Sequence, residues 1–237
     1  MKAKKIIKRV LIIVLAIAAL LAVVAGIFAI RGAVMWNNAQ ALSPINALTA
    51  ELRSREDYTE FEDLPEFYIN AVISTEDRKF ETHCGINVKS IIRALLYDIK
   101  EMSFEQGGST ITQQLAKNLW FSQDKKLERK FAEVYAAFAL EKTLSKSEIF
   151  ELYVNTIYFG SGYYGITAAS RGYFGKEPSE LTEYECAMLA GLPNAPSVYS
   201  PDESPELAKQ RLSIVLDSME QTGQLTPEKA NEILSAA

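Results

Sequence analysis

The segment Ala71–Gly85, AVISTEDRKFETHCG, decides how the chain is read. It starts apolar with Ala71, Val72 and Ile73. It ends in a polar knot of Glu76, Asp77, Arg78, His83 and Gly85, with Phe80 among them. Pro65 can open a helix at its first turn, and Glu66 suits that positive end. Such a helix runs toward Glu76–Phe80 and puts two adjacent acids near its C-terminus. There they oppose the macrodipole, at a cost of a few tenths to about 1 kcal/mol. An unfavourably placed carboxylate often marks chemistry, because a raised pKa makes a useful base. The plain alternative is a solvated helix end with Asp77 and Arg78 exposed.

Upstream lies an unbroken apolar run without a charge, Val10–Ile30, VLIIVLAIAALLAVVAGIFAI. Its 21 residues make about 31 Å of helix, against a hydrocarbon core of about 30 Å. A cleaved signal peptide has an apolar core of about 7–15 residues followed by a small-x-small site, and neither fits. The run reads as an uncleaved anchor. Lys2, Lys4, Lys5, Lys8 and Arg9 precede it, which places the N-terminus in the cytoplasm and the rest outside. The expected division is a cytoplasmic tail (1–9), a transmembrane anchor (10–30), a stalk (31–54) and one domain (55–237). Short helices are expected near 45–55.

The 237 residues carry a net charge of −5. Residues 1–31 hold six cations and no acid, which leaves −11 for the remainder. An acidic body argues against nucleic acid as a partner. One histidine and two cysteines exclude a His/Cys metal cage. For Cys84 and Cys186, a disulfide outside the cytoplasm and two free buried thiols both stand.

Downstream of Gly85, apolar residues at Val88, Ile91, Ile92, Leu95, Leu96 and Ile99 have helical spacing and read as core. Met102 and Phe104 fall in a loop that could dip into a membrane interface, and a mobile surface loop explains the same residues equally well. Gly107–Phe121, GGSTITQQLAKNLWF, opens with two glycines and a capping box of Thr110 and Gln113. Ile111, Leu115 and Leu119 fall on one side of that helix. Thr110, Gln113, Gln114, Lys117 and Asn118 form a polar stripe. A freed helix N-terminus with a lysine two turns on suits an anion, and an amphipathic helix with a wet face explains the same pattern.

Asp124–Leu140 reads as a third helix, with Arg129 and Glu133 spaced i, i+4. The default for such a pair is an exposed contact of about 0.3–0.5 kcal/mol. Ser145 with Glu148, and Thr182 with Glu185, cap two more helices. Tyr158–Gly165 is dense in rings and glycines and suits a tight connection. Its rings can stack on sugars or simply pack. Ile166–Tyr173 reads as a short helix. Leu192–Pro201 reads as a proline-rich wrap without secondary structure. Pro205–Gln221 and a segment from Pro227 close the chain as helices. The fold class is mainly α.

Taken together, the motifs resemble the peptidoglycan glycosyltransferases of glycosyltransferase family 51. These form the polymerase domain of bifunctional penicillin-binding proteins and the monofunctional transglycosylases. The matching residues, in the family's order, begin with Glu76-Asp77, Phe80, His83 and Gly85. Gly107 to Gln114 with Lys117-Asn118 come next, then Arg129-Lys130, Glu133 and Leu140-Glu141. Ile149, Glu151, Tyr153, Asn155 and Tyr158-Phe159-Gly160 follow, and Leu189 to Pro193 complete the set. Coverage runs from about residue 55 to the end. Asn87 stands where members often have Asp, and Cys84 is an unusual neighbour for His83.

The resemblance implies a lysozyme-like helical glycosyltransferase domain behind a single N-terminal transmembrane helix. It implies lipid II and the nascent glycan chain as substrates, polymerised with inversion and loss of undecaprenyl pyrophosphate. It implies a monofunctional enzyme, unless the chain is a truncated bifunctional one. Glu76 becomes the general base, and Lys117 and Arg129 become phosphate clamps. Glu133 becomes the second catalytic carboxylate, which would bind or orient substrate, or stabilise charge near the donor sugar. Asp77, Phe80, Ser109, Thr110 and Gln113 join Gln114, Asn118 and Tyr158 as substrate contacts. His83, also counted among them, reads more as a structural hydrogen bonder than as an acid or ligand. Asp77 could instead help hold a divalent cation, Mg2+ or Mn2+, on the pyrophosphate. The expected setting is the outer face of the plasma membrane, with other cell-wall synthases as partners. Two other readings compete: a lysozyme-like hydrolase, and a non-catalytic anchored scaffold.

Overall fold

Pro65 caps a helix that runs Glu66–Glu76, so Glu76 is its last residue and Asp77 its C-cap. The computed structural model describes residues 2–93, 108–121 and 126–235. Among these residues every regular element is a helix, and the one β contact is an isolated bridge between Tyr158 and Tyr164. In chain order the α-helices are α1 (Lys2–Leu42), α2 (Ile45–Arg53), α3 (Glu66–Glu76), α4 (described over 88–93), α5 (Ile111–Trp120) and α6 (Leu127–Thr143). They continue as α7 (Lys146–Thr156), α8 (Ile166–Phe174), α9 (Glu183–Gly191), α10 (Pro196–Tyr199), α11 (Pro205–Gln221) and α12 (Pro227–Ser235).

The centre is built by α7 and α9. Every residue of α7 from Ile149 to Asn155 is buried, and so is every residue of α9 from Cys186 to Gly191. A helix apolar on most sides belongs inside a bundle. Around them α3 packs on α9 and α11, and α5 packs on α6 and α7. The capping boxes at Thr110, Ser145 and Thr182 all form. Each satisfies two backbone or cap donors that would otherwise be orphaned. These caps fix where α5, α7 and α9 begin.

Four expectations change. The segment 31–54 is no stalk. Helix α1 continues unbroken through it to Leu42 and packs on α6, and α2 packs on α7. Trp36, Ile45 and Leu52 are buried, the Trp36 ring meets Trp120 edge-on at 5.0 Å, and Trp120 Nε1 donates to Ser43 O. The segment's periodicity is weak because its two helices face two different surfaces. Val88, Ile91 and Ile92 are 56%, 40% and 52% exposed, so their stripe is not core. Helical spacing shows that residues share a face, not what covers the face. The rest of that segment, and the loop at Met102 and Phe104, lie outside the described residues. Leu192–Pro201 is a 3-10 turn (Leu192–Asn194) followed by α10. Each carries a proline in its first turn, where a missing N–H costs nothing. Cys84 and Cys186 are both free, Cys84 exposed and Cys186 buried.

Within α1, Ile6–Leu42 is long and apolar enough to cross a membrane. Its large apolar side chains between Ile6 and Ile30 are exposed, except Phe28, which is half-buried.

Candidate active site

Glu76 sits at the end of α3 with its side chain only 10% exposed. Gln114 Nε2 donates to Glu76 Oε2 at 2.8 Å, and Arg211 Nη2 lies 3.6 Å from Oε1. Tyr153 OH donates to Gln114 Oε1 at 3.4 Å, which turns the amide NH2 toward Glu76. Burial pushes the Glu76 carboxyl above its ordinary value. The Gln114 hydrogen bond and the Arg211 charge oppose that, Asp77 adds to it, and Lys117 opposes it weakly. Glu76 is therefore a dry, high-titrating carboxylate held by an amide.

Asp77 turns the other way. It is buried, and its Oδ2 accepts from His83 Nε2 at 2.6 Å and from Ile111 N at 3.2 Å. His83 Nδ1 accepts from Gly85 N at 2.9 Å, so the ring proton sits on Nε2. Gly85 has φ +100°, a conformation suited to glycine, and its carbonyl accepts from Thr110 Oγ1. Asp77, His83 and Gly85 thus brace the exit of α3 against the start of α5. Phe80 is 1% exposed, packs against Phe150 and carries Lys146 Nζ 4.7 Å over its ring. It belongs to the core under the site instead of the site's wall. Thr110 and Gln113 are also buried, their polar groups committed to the cap.

The far wall is α6. Glu133 is 1% exposed and bonds Arg129 through Oε1 and Lys130 through Oε2, the latter at 2.9 Å. Lys130 also donates to Ser109 Oγ at 2.6 Å. Lys117 joins this cluster electrostatically. Burial lowers its pKa, Glu133 opposes the shift, and Arg129 and Lys130 add to it. Three cations face one carboxylate here, so the wall is suited to an anion.

Two cavities flank the Glu76–Gln114 contact. One of about 730 Å³ is lined by Gln114, Lys117, Asn118, Tyr158, Tyr164 and residues of α2, α7 and α10. Gly162 N donates to Tyr158 OH, and the Tyr158 and Tyr164 rings lie 4.7 Å apart. The other, about 540 Å³, holds Glu76 and Ser109 with the cations Arg78, Lys79, Lys89 and Arg93. Lys117 is coupled electrostatically both to Glu76 and to the cluster of Glu133, Arg129 and Lys130. Ser109 lines the cavity that holds Glu76, and Gln114, Asn118 and Tyr158 line the other with Lys117. Among the described residues no group of three or more His, Cys, Asp or Glu side chains could hold a metal, and Asp77 is already engaged. These residues do not fit a metal held by protein ligands.

Arg211 and Lys130 escaped the sequence reading as site residues. Lys130 is readable beside Arg129, since i, i+3 also reaches Glu133. Arg211 has no local signal, because only the packing of α11 on α3 carries it to Glu76.

A transglycosylase family model matches residues 43–220. The chain is 47% identical over 178 residues to penicillin-binding protein 1A of Aquifex aeolicus (strain VF5), covering 75% of this chain and 24% of that one. It is 43% identical over 181 residues to penicillin-binding protein 1A of Neisseria gonorrhoeae, covering 76% and 23%. The chain spans about a quarter of the length of these curated relatives. Among solved structures it is similar to penicillin-binding protein 1A from Haemophilus influenzae, at 31% identity over 54% of this chain and 16% of that one, with a TM-score of 0.37.

Proposed function

We propose, because this chain belongs to the transglycosylase family, that it polymerises the lipid-linked disaccharide precursor of peptidoglycan, lipid II, into glycan strands. The observation that carries this reading is a buried carboxylate, raised by burial, linked through Lys117 to a net-cationic cluster. Glycosyl transfer from a lipid diphosphate needs both. Glu76, ionised, takes the proton of the acceptor sugar's 4-hydroxyl as its oxygen attacks C1 of the donor chain. The new C1–O bond forms opposite the leaving group, so configuration inverts. The old C1–O bond breaks, and its electron pair leaves with the undecaprenyl diphosphate. Lys117, Arg129 and Lys130 meet the charge that develops there. Glu133 holds Arg129 and Lys130 in place and prevents their mutual repulsion from splaying them. Asn118, Ser109 and Tyr158 offer polar groups and a ring at the margins, where sugars bind.

The same reading places α1 across the plasma membrane, with its basic N-terminus in the cytoplasm and the domain outside. Both substrates are lipid-borne, and confinement to one plane raises their effective concentration. The growing glycan chain, and other cell-wall synthases working on it, are the partners this chemistry calls for.

The test is polymerisation of labelled lipid II in detergent or liposomes by wild type and Glu76→Gln. Glycan chains are expected from wild type. A general base contributes about 10²–10⁴-fold, and the variant should lose that much. Wild-type rates from Glu76→Gln would remove Glu76 from the mechanism. Release of sugars from finished peptidoglycan, without growth from lipid II, would make the protein a hydrolase.

A further inference from the structure

The C-terminal end of α11 is tied to α3 and the turn after it at two points: Ser74 Oγ and Thr222 Oγ1 lie 2.7 Å apart, and Arg78 Nη2 donates to Gln221 Oε1 at 2.8 Å. Between these and its N-terminus α11 carries Arg211. Three contacts fix that side chain. Its Nε donates to Gly191 O at 3.0 Å, its guanidinium lies 5.7 Å over the Tyr199 ring, and its Nη2 faces Glu76 Oε1 at 3.6 Å. The side chain is 11% exposed. A Cβ on Gly191 would stand 2.9 Å from Arg211 Cγ and 3.3 Å from Val215 Cγ2. Gly191 is therefore the gap through which the arginine stem passes.

We propose that Arg211, seated by Gly191 and Tyr199, is a positioning residue that keeps the carboxylate of Glu76 charged and aimed into the cleft. This rests on Glu76 being the base of the proposed function. At 3.6 Å the guanidinium attracts the carboxylate without a formed hydrogen bond to Oε1. It favours the ionised form and leaves that oxygen's lone pairs free for a proton. The other groups facing Glu76 cannot replace it. Asp77, next in the chain, repels the charge, and Tyr68 from α3 and Tyr153 from α7 are neutral hydroxyls. Gln114 from α5 is a neutral donor to the other oxygen. Lys117 from α5 is the second cation, but it also belongs to the Glu133 cluster, where the diphosphate is proposed to sit. Arg78, Lys79, Lys89 and Arg93 line the cavity around Glu76, and among the described residues Arg211 is the cation at ion-pair range of its carboxylate.

The experiment is the pH profile of kcat and KM on lipid II for wild type, Arg211→Gln, Arg211→Lys and Gly191→Ala, with each variant's Tm measured alongside. Removing an opposite charge at this range should move the acidic limb up by about one pH unit in Arg211→Gln. Arg211→Lys should move it less, and Gly191→Ala, which displaces the stem, should move it in the same direction. KM should hold and the rate above the limb should approach wild type. A loss uniform at all pH values, or a raised KM with an unmoved limb, would overturn the proposal. Should Arg211→Gln fail to fold, Arg211→Lys and Gly191→Ala still decide. A 13C titration of the Glu76 carboxyl in wild type and Arg211→Lys reads the same pairing without turnover. An upward midpoint is expected there, and an unchanged one refutes the pairing even if lipid II proves to be the wrong substrate.

Discussion

Two buried glutamates share Lys117 as an electrostatic neighbour, and their other neighbours set them apart. Glu133 is bonded directly by two cations of its own helix, one to each oxygen. Glu76 has an amide on one oxygen and an arginine at 3.6 Å from the other. Direct pairing fixes a carboxylate's orientation and occupies a lone pair on each of its oxygens. Holding a cation at a distance leaves the carboxylate dry, raised and able to take a proton. Burial alone does not make a base, and the nature and range of the partner decide. On the proposed reading this contrast makes Glu133 the scaffold of the cationic cluster and Glu76 the base.

The contrast breaks most severely at Glu133. Glu133→Ala leaves Arg129 partly buried without its carboxylate. Breaking a buried pair costs about 3–5 kcal/mol, and the low end, about 3, applies because Lys130 is half exposed. A lowered Tm is expected together with a raised KM for lipid II. Glu133→Gln keeps the size and one acceptor and should lose less of both. Unchanged stability in Glu133→Ala would show that the cluster is not held by its carboxylate.

Lys117 tests the same wall from its solvent side. A charged hydrogen bond to a phosphate is worth about 1.5–3 kcal/mol, so Lys117→Met should lose roughly 10- to 100-fold in kcat/KM. Burial holds Lys117 below the usual lysine range. Its proton is therefore lost earlier as pH rises, and the alkaline limb of the wild-type profile should come early. Lys117→Arg stays charged and should push that limb upward. An alkaline limb unmoved by arginine would assign it to another group.

Glu76→Gln sharpens the contrast in stability instead of rate. Glu76 titrates higher in the folded than in the unfolded chain. Its contribution is fully present below the unfolded value, about 4.3, and is lost as pH rises through the folded value. Glutamine carries no such loss and can still accept from Gln114. The variant should match wild type in acid and melt higher than wild type near neutral pH. Arg211 losing its partner trims the gain. A variant less stable at neutral pH than in acid, relative to wild type, would mean that Glu76 is a stabilising ion pair and the comparison fails.

What the chain disclosed about itself follows the range of the forces involved. Thr110–Gln113 and Ser145–Glu148 are local pairs, and both caps sit where their spacing put them. Pro205 and Gly223 bracket α11 for the same reason. The i, i+4 spacing of Arg129 and Glu133 announced a pair but not its burial. Burial depends on α5 and α1 packing over α6, and no window of sequence contains that. Val88, Ile91 and Ile92 mislead in the opposite sense, since a genuine helical stripe faces outward. Arg211 was illegible because its meaning lies wholly in a contact between distant helices. Glu76 stood out through its clash with the helix dipole and the motif around it. Its partners emerged only from the fold.

The smallest expected effect separates a cap that serves the site from one that does not. Thr110→Ala and Ser145→Ala each remove an N-cap side chain, at about 1 kcal/mol. On stability the two should look alike. Thr110 Oγ1 also donates to Gly85 O, in the brace that Asp77 and His83 complete, and α5 carries Gln114 and Lys117. Ser145 starts α7 at an exposed end, away from the cleft. Thr110→Ala should therefore lower kcat a few-fold beyond Ser145→Ala at matched Tm, because a loosened α5 N-terminus loosens the amide that holds Glu76. Equal kinetics in the two variants would mean that the brace stabilises the fold without setting the geometry of the base.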